Sequence, residues 1–356
     1  MERVFNAEML ILARESRGLT QTELADRLGV SQGEVSKLEN RLRVPDPEQV
    51  SRYAAALGYK EEFFYIGESI RGTGTGCTYH RKRQSAQVGL LRRLLAIVNV
   101  RRIQIGRLLR ATEIQAQNKF ARLDLEASDR TPELTARMMR AYFQLPPGPV
   151  QSMTRVIEDA GGIVVLMDFK TTKVDAISQL APGSPPLFFV NMNTPTDRLR
   201  WTLAHELGHV VMHQLPTEAM EKEADRYAAE FLMPAKEIKS HLYDLTLPKL
   251  ASLKPFWKVS MVSLLRRAGE LDTISTRRKE YLWTHMGKKG YRSVEPGPPL
   301  PREQPTLLNE LVSVHREQLG YSMRDLSDAL YTEDETETRN ILQQQQQDSP
   351  GLRLVR

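Results

Sequence analysis

The segment WTLAHELGHVVMHQ, residues 201–214, places three histidines and one acid within an otherwise apolar stretch. His205 and His209 are four residues apart, so an α-helix puts both imidazoles on one face, one turn apart. That spacing allows both rings to bind one tetrahedral zinc ion. Glu206 lies beside them, where a carboxylate is able to accept a proton from a water molecule that zinc makes more acidic. The alternatives are a structural helix and a metal site without chemistry.

A catalytic zinc ion needs a third protein ligand and one open position. The segment EKEADRYAAEFLMP, residues 221–234, predicts a helix on which Glu221 and Asp225 share the apolar face. Burying an unpaired carboxylate is unfavourable, but a metal ion and a histidine N–H would satisfy both groups. We therefore expect Glu221 to be the third zinc ligand and Asp225 to orient a ligand histidine. Glu223 falls on the opposite face of this helix and is a weaker candidate for the third ligand.

Together these motifs are typical of the gluzincin peptidases, in which HExxH is followed by ExxxD on the next helix. More closely, RLRWTLAHELGHVVMH and EKEADRYAAEFLMP resemble the ImmA/IrrE family of metallopeptidases, and the resemblance covers roughly residues 150–245. It implies a zinc-dependent endopeptidase that cleaves a repressor-type protein in a stress or mobile-element response. In gluzincins an extended substrate adds to the edge of the active-site sheet, and PPLFFVNMN, residues 185–193, is the expected edge strand.

Residues 6–58 predict four short helices, two of which form a helix-turn-helix pattern. Thr20 and Ser31 are the expected caps of these two helices, and each is followed three residues later by a glutamate. The stretch TQTELADRLGVSQGEVSKLENRLRVP, residues 20–45, resembles an XRE-type helix-turn-helix domain. This resemblance implies a five-helix-type domain that binds double-stranded operator DNA.

In such a domain the helix after Ser31 enters the major groove. We expect Gln32 to read adenine, Lys37 to contact guanine or phosphate, and Gln21 to contact the backbone. The full set of expected DNA contacts is Gln21, Ser31, Gln32, Gly33, Ser36, Lys37 and Arg41, with Arg43 as an added phosphate contact.

A helix-turn-helix that binds a protein is the alternative, and the charge of residues 1–64 favours it, with nine Lys/Arg against eleven Asp/Glu. DNA-binding domains of this type usually occupy two half-sites as dimers, so a homodimer is one expectation. No coiled-coil heptad shows how two copies would pair.

The net charge of +6 is concentrated in residues 81–110, which hold nine Lys/Arg and no acid. This pattern is typical of a solvated helix face, of a second DNA-backbone contact or of a clamp on an acidic partner. The single cysteine, Cys77, excludes an intrachain disulfide, and nothing in its context supports a role as a zinc ligand. No apolar run approaches the roughly 20 residues of a membrane span, and the N-terminal stretch does not resemble a signal peptide. We expect a cytoplasmic protein without membrane contact.

The sequence predicts a mainly α-helical chain with an α+β metallopeptidase domain. Strands are expected in GIVVLMDF, VDAISQL and PPLFFVNMN. The expected divisions are a helix-turn-helix domain at 1–69, a basic helical linker domain at 70–146, the zinc peptidase domain at 147–245, a helical extension at 246–295, and a segment at 296–356 with a Pro-rich linker, one helix near 306–330 and a disordered tail.

The remaining candidates are left open by the spacing. His213 lies eight residues after His205, which does not fit the third ligand of the metzincin pattern, so we interpret it as structural. Tyr227, His241 and Tyr243 are candidates for stabilising charge in the transition state, and the sequence does not choose among them. A different function also fits: a DNA-binding regulator or antitoxin whose peptidase fold only senses or holds metal.

Overall fold

A computed structural model of the chain describes residues 4–68, 70, 88–112, 130–181, 183–213 and 217–343. Cys77 lies outside the described residues. The described part divides into two compact units. Unit 1 contains residues 4–68, 70, 88–112 and 306–343, and unit 2 contains the residues described between 130 and 305.

Helices dominate both units, and unit 2 also holds a three-stranded sheet, so the predicted fold class is confirmed. The strands are β1 (Ile163–Met167), β2 (Ala176–Gln179) and β3 (Leu187–Asn191). The first helices are α1 (Ala7–Ser16), α2 (Gln21–Leu28), α3 (Gln32–Glu39), α4 (Pro47–Leu57), α5 (Val88–Leu109), α6 (Pro132–Tyr142), α7 (Met153–Asp159) and α8 (Thr196–Met212). They are followed by α9 (Met220–Leu232), α10 (Ala235–Ile238), α11 (Leu247–Trp257), α12 (Met261–Glu270), α13 (Thr276–Lys288), α14 (Leu307–Ser313), α15 (Met323–Ala329) and α16 (Glu335–Gln343).

The helix-turn-helix is formed by α2 and α3, whose ends follow from local sequence. Thr20 caps α2 in a reciprocal capping box with Glu23, as predicted. Gly29 ends α2 in the left-handed conformation, with a φ of 65°, which favours glycine. The side chain of Ser31 then caps α3 by accepting a hydrogen bond from the backbone N–H of Glu34.

Unit 1 is completed by a C-terminal segment, residues 306–343, that packs against the helix-turn-helix domain. Tyr331 is buried in the same apolar core as Phe63, with ring centroids 6.0 Å apart. Thr332 forms a β-bridge with Tyr59. On the surface Arg17 makes two hydrogen bonds to Glu337, at 2.8 and 3.0 Å. The first and last described parts of the chain therefore share one core.

The structure of this C-terminal segment differs from the sequence-based expectation. The single helix expected near 306–330 is divided into α14, a π-helical turn at Val314–Gln318 and α15. The acidic stretch expected to be disordered forms α16, where Thr338 is fully buried and its hydroxyl is within 2.8 Å of the Ser327 hydroxyl. Packing within unit 1 therefore orders this stretch although its acidic composition disfavours folding.

The arginine-rich segment predicted as part of one linker domain contributes helices to both units, since α5 lies in unit 1 and α6 in unit 2. Several arginines of α5 have partners inside unit 1. Arg102 pairs with Glu68, and Arg107 stacks on the ring of Tyr331 at 4.4 Å from its centroid. Arg93 donates a hydrogen bond to the carbonyl of Ser16. Much of the local basic charge therefore serves packing within the unit.

The sheet of unit 2 has the strand order β1-β3-β2, with β1 parallel and β2 antiparallel to β3. The expectation that PPLFFVNMN is the edge strand is therefore wrong. β3 has a neighbour on both sides, which agrees with its uninterrupted apolar sequence and complete burial. Strand β2 is an edge strand within the described sheet, and it packs against α8.

Helices α8 and α9 pack closely against each other and carry the predicted metal ligands. His205 contacts Asp225 and His209 contacts Glu221, so the two helices run antiparallel. Gly208 allows the close approach, because a Cβ atom at this position would lie 3.0 Å from the ring of Tyr227. Fully buried residues on these two helices include Leu203, Ala204, Leu207, Ala224, Tyr227, Ala228 and Phe231.

The Pro-rich segment near residues 295–305 is attached to unit 2 at both ends. Glu295 accepts hydrogen bonds from the backbone N–H groups of Met261 and Val262 at the start of α12. Glu303 pairs with Arg200 of α8, whose side chain is 1% exposed. No helix in the described residues has both the length and the apolar character needed to cross a membrane.

Candidate metal centre and helix-turn-helix surface

Three potential metal ligands converge between α8 and α9. The Nε2 atoms of His205 and His209 are 3.0 Å apart. Each of these nitrogens lies 3.5 Å from a carboxylate oxygen of Glu221. Ligand atoms of all three residues lie within 4.8 Å of one another. The structure thus brings together the three residues that the sequence suggested as a metal-binding set.

The arrangement fits a zinc ion in both distance and chemistry. Zinc–ligand bonds of about 2.0–2.1 Å in a tetrahedral site place neighbouring ligand atoms about 3.3 Å apart. The observed separations of 3.0 and 3.5 Å are close to this value. In addition, Oε1 of Glu221 is buried and has no hydrogen-bond partner among the described residues. Two imidazoles and one carboxylate are also the donor set that leaves a fourth position open.

His205 and Glu221 shift each other's pKa in opposite directions. Burial alone would lower the pKa of His205, but hydrogen bonds with Asp225 and Glu221 outweigh it and raise the pKa to about 10. Burial would likewise raise the pKa of Glu221, but its contacts with His205 and His209 outweigh it and lower the pKa to about 2. Without a metal ion, a proton on His205 therefore neutralises the negative charge of Glu221.

Glu206 lies on α8 next to the metal ligands but is not one of them. Its side chain is almost completely buried, and its carboxylate accepts a hydrogen bond from the hydroxyl of Ser178 on β2. Ser178 was not predicted as a site residue, and its place in the predicted strand VDAISQL was the only signal for it in the sequence. The contact fixes the carboxylate of Glu206 between the ligand helix and an edge of the sheet.

The outer nitrogen of each ligand histidine has a partner. Nδ1 of His205 is 3.0 Å from Oδ1 of Asp225, the residue expected to orient a ligand. Nδ1 of His209 is 2.9 Å from Nδ1 of His213. Glu223 contacts His213 at 3.0 Å and is not in the cluster of potential ligands. Burial lowers the pKa of His213, and the neighbouring His209 lowers it further.

The three candidates for transition-state stabilisation lie in different surroundings. Tyr227 is fully buried, stacks on Phe231 at 5.5 Å and has no hydrogen-bond partner for its hydroxyl among the described residues. His241 accepts a hydrogen bond from the indole N–H of Trp257. Tyr243 is 47% exposed. None of the three belongs to the metal cluster, and their role in the transition state stays a prediction.

The surface of the helix-turn-helix is held by a chain of hydrogen bonds across three helices. Arg14 makes two hydrogen bonds to the buried carboxylate of Glu39, at 2.5 and 3.0 Å. Glu39 also accepts from the amide of Gln21, and Gln21 accepts from the amide of Gln32. The acid on α3 is therefore neutralised inside the domain, and Gln32 is aligned at the exposed start of α3.

The other predicted DNA-contacting residues lie at the N-cap of α3, within α3 or just after it. Ser31, Gln32, Gly33 and Lys37 are exposed, and the Ser36 hydroxyl accepts a hydrogen bond from the amide of Asn40. Arg41 adopts a positive φ of 60° and forms an exposed ion pair with Glu8. Four of the predicted contacts thus lie on α3, Ser31 is its N-cap, Arg41 follows its C-cap, and Gln21 is joined to Gln32 by a hydrogen bond.

Two family models match the chain. Residues 158–268 match the peptidase M78 model, described as an IrrE N-terminal-like domain. Residues 10–64 match a helix-turn-helix model. These matches confirm the predicted resemblance to a helix-turn-helix protein joined to an ImmA/IrrE family domain, and the first one contains all three clustered ligands. No curated protein sequence matches the chain.

Proposed function

We propose that the chain is a DNA-binding regulator with zinc-dependent endopeptidase activity, and that its substrate is a repressor-type protein in a stress or mobile-element response. One observation carries the proposal: two histidines and a carboxylate converge beside Glu206, whose own carboxylate is held by Ser178. A purely structural metal site has no need of an additional buried glutamate at this position.

The residues have distinct roles in the proposed reaction. His205, His209 and Glu221 would hold a zinc ion, which would supply Lewis acidity and make a water molecule more acidic. Glu206 accepts a proton from the attacking water and returns it to the leaving amine. Strand β2 lies at one edge of the sheet in the part of the chain that the structure describes, and we propose that an extended peptide substrate adds along this edge.

The DNA-binding part of the proposal is supported by the exposed start of α3 and by the fixed position of Gln32. We propose Gln21, Ser31, Gln32, Gly33, Ser36, Lys37 and Arg41 as the contacts to operator DNA. A homodimer would place two such helices in successive turns of the major groove.

The decisive experiment compares Glu206→Gln with His205→Ala, using Glu218→Gln on the exposed loop before α9 as the matched control. We expect Glu206→Gln to retain one zinc per chain and to lose cleavage of a co-expressed repressor-type substrate. His205→Ala should lose both zinc and cleavage, and Glu218→Gln should lose neither. Retained cleavage in Glu206→Gln would contradict the mechanism.

A regulator whose peptidase fold only holds metal gives a different result. In that case Glu206→Gln would bind zinc and repress normally, and the wild type would cut no substrate. The pairing of Glu206 with Ser178 favours the peptidase, because it orients a carboxylate that lies beside the potential metal ligands and is not one of them.

A further inference from the structure

We propose that His213 and Glu223 form a hydrogen-bonded relay that positions the zinc ligand His209, an inference that rests on the zinc site proposed above. Nδ1 of His209 lies 2.9 Å from Nδ1 of His213. Nε2 of His213 in turn lies 3.0 Å from Oε2 of Glu223. The three side chains form a continuous path from the metal cluster to a carboxylate on α9.

Only one arrangement of protons satisfies this path when His209 binds a metal ion through Nε2. A nitrogen that binds metal carries no proton, so the neutral ring of His209 carries its proton on Nδ1 and donates it. Nδ1 of His213 must then accept, which places the proton of His213 on Nε2. That N–H donates to Glu223, so each hydrogen bond in the path fixes the next one.

The backbone strengthens the contact between the two histidines. His213 is the first residue after α8, with an extended backbone at φ −108° and ψ 112°. Its backbone N–H donates a 3.0 Å hydrogen bond to the carbonyl of His209. His213 therefore contacts His209 through both its backbone and its side chain, and its side chain is only 4% exposed.

With the relay, each of the two ligand histidines is connected to a carboxylate on α9, one directly and the other through a second histidine. His205 contacts the carboxylate of Asp225 directly, and that side chain is 49% exposed. His209 reaches a carboxylate through His213, and Glu223 is 27% exposed. Carboxylates that hold metal-binding histidines fix the ring orientation and raise the basicity of the ligand.

This assignment differs from the two sequence-based interpretations of these residues. His213 was expected to be structural, and Glu223 was the weaker candidate for the third zinc ligand. In the structure Glu223 contacts His213 and is outside the ligand cluster. His213 faces the nitrogen of His209 that is turned away from His205. Both residues are therefore positioning residues and not metal ligands.

The test measures zinc affinity by chelator competition and the visible absorption spectrum of the Co²⁺-substituted protein. His213→Phe keeps the size of the ring and removes both nitrogens. We expect it to weaken zinc binding by about 10–100-fold and to change the Co²⁺ spectrum. His213→Asn keeps an acceptor for the Nδ1 proton of His209 and should recover most of the affinity. His285→Phe, on α13 and stacked on Tyr281, is the control and should match the wild type.

Variants of Glu223 test the far end of the relay and do not disturb the core. Glu223→Gln keeps an acceptor for the His213 N–H and should bind zinc more tightly than Glu223→Ala. Wild-type affinity and an unchanged Co²⁺ spectrum in both His213→Phe and Glu223→Ala would overturn the relay, while zinc in the wild type would still support the proposed function. A wild-type protein that binds neither zinc nor Co²⁺ would overturn both.

Discussion

The hydroxyl of Ser178 on the edge strand β2 donates a hydrogen bond to the carboxylate of Glu206 on α8. This contact joins the proposed general base to the strand along which we expect the substrate to lie. Neither residue is a metal ligand candidate, so the strength of the contact is separable from zinc binding.

Ser178→Ala is predicted to slow cleavage without loss of zinc. A hydrogen bond to a charged group contributes about 1.5–3 kcal/mol, so we expect kcat to fall roughly tenfold or more. Ser178→Thr keeps the hydroxyl and a β-compatible side chain, and it should retain most of the activity. Zinc content and peptide hydrolysis would be measured on the same preparations, and equal kcat in wild type and Ser178→Ala would refute the role.

Zinc binding is predicted to release a proton from His205. The pKa of this residue is raised to about 10 in the metal-free site, so the ring is protonated at neutral pH and must lose its proton to bind zinc. The apparent zinc affinity should therefore rise about tenfold per pH unit across the neutral range.

Calorimetry at pH 7 in two buffers of different ionisation enthalpy measures this proton directly. Asp225→Asn tests the cause, because it removes the carboxylate that most raises the pKa of His205. Proton release should be smaller in this variant. Release of no proton by the wild type would show that the metal-free ring is already neutral.

Gly208→Ala is predicted to destabilise unit 2. The added Cβ would lie 3.0 Å from the ring of Tyr227, which is fully buried and stacked on Phe231. Overpacking of this kind costs about 1–3 kcal/mol, so the thermal midpoint should fall by several degrees. Gly106→Ala is the control, since a Cβ there meets nothing within 4 Å and α5 should gain helix propensity.

Tyr331→Ala is predicted to destabilise the helix-turn-helix domain, although Tyr331 is far from that domain in sequence. Tyr331 is 5% exposed, contacts Phe63 and lies under the guanidinium of Arg107. Loss of a buried aromatic ring costs about 3–5 kcal/mol. Denaturant unfolding followed by a probe in unit 1 would measure this loss of stability. Glu333→Ala, which changes an exposed neighbour, is the control and should have little effect.

Local spacing in the sequence was sufficient for most of the site. The four-residue separation of His205 and His209 requires only a helix, and the caps at Thr20 and Ser31 depend on residues three positions away. Glu221 could also be placed, because an acid on an apolar helix face needs a partner.

Features that depend on contacts between residues far apart in sequence could not be predicted from local spacing. The position of β3 between β1 and β2 follows from which strands meet, and an apolar run does not specify it. The contact between Ser178 and Glu206 joins residues 28 positions apart. The contact of His213 with Glu223 was missed because the helical wheel of α9 describes only that helix and not the residue that follows α8.

The shared core of unit 1 has a consequence for the order of folding during synthesis. Domains generally fold as the chain emerges, the N-terminal one first. Here the aromatic cluster around Phe63 includes Tyr331, which the ribosome adds only after all of unit 2. The helix-turn-helix domain therefore acquires its full stability last, when the peptidase-like unit has already had time to fold.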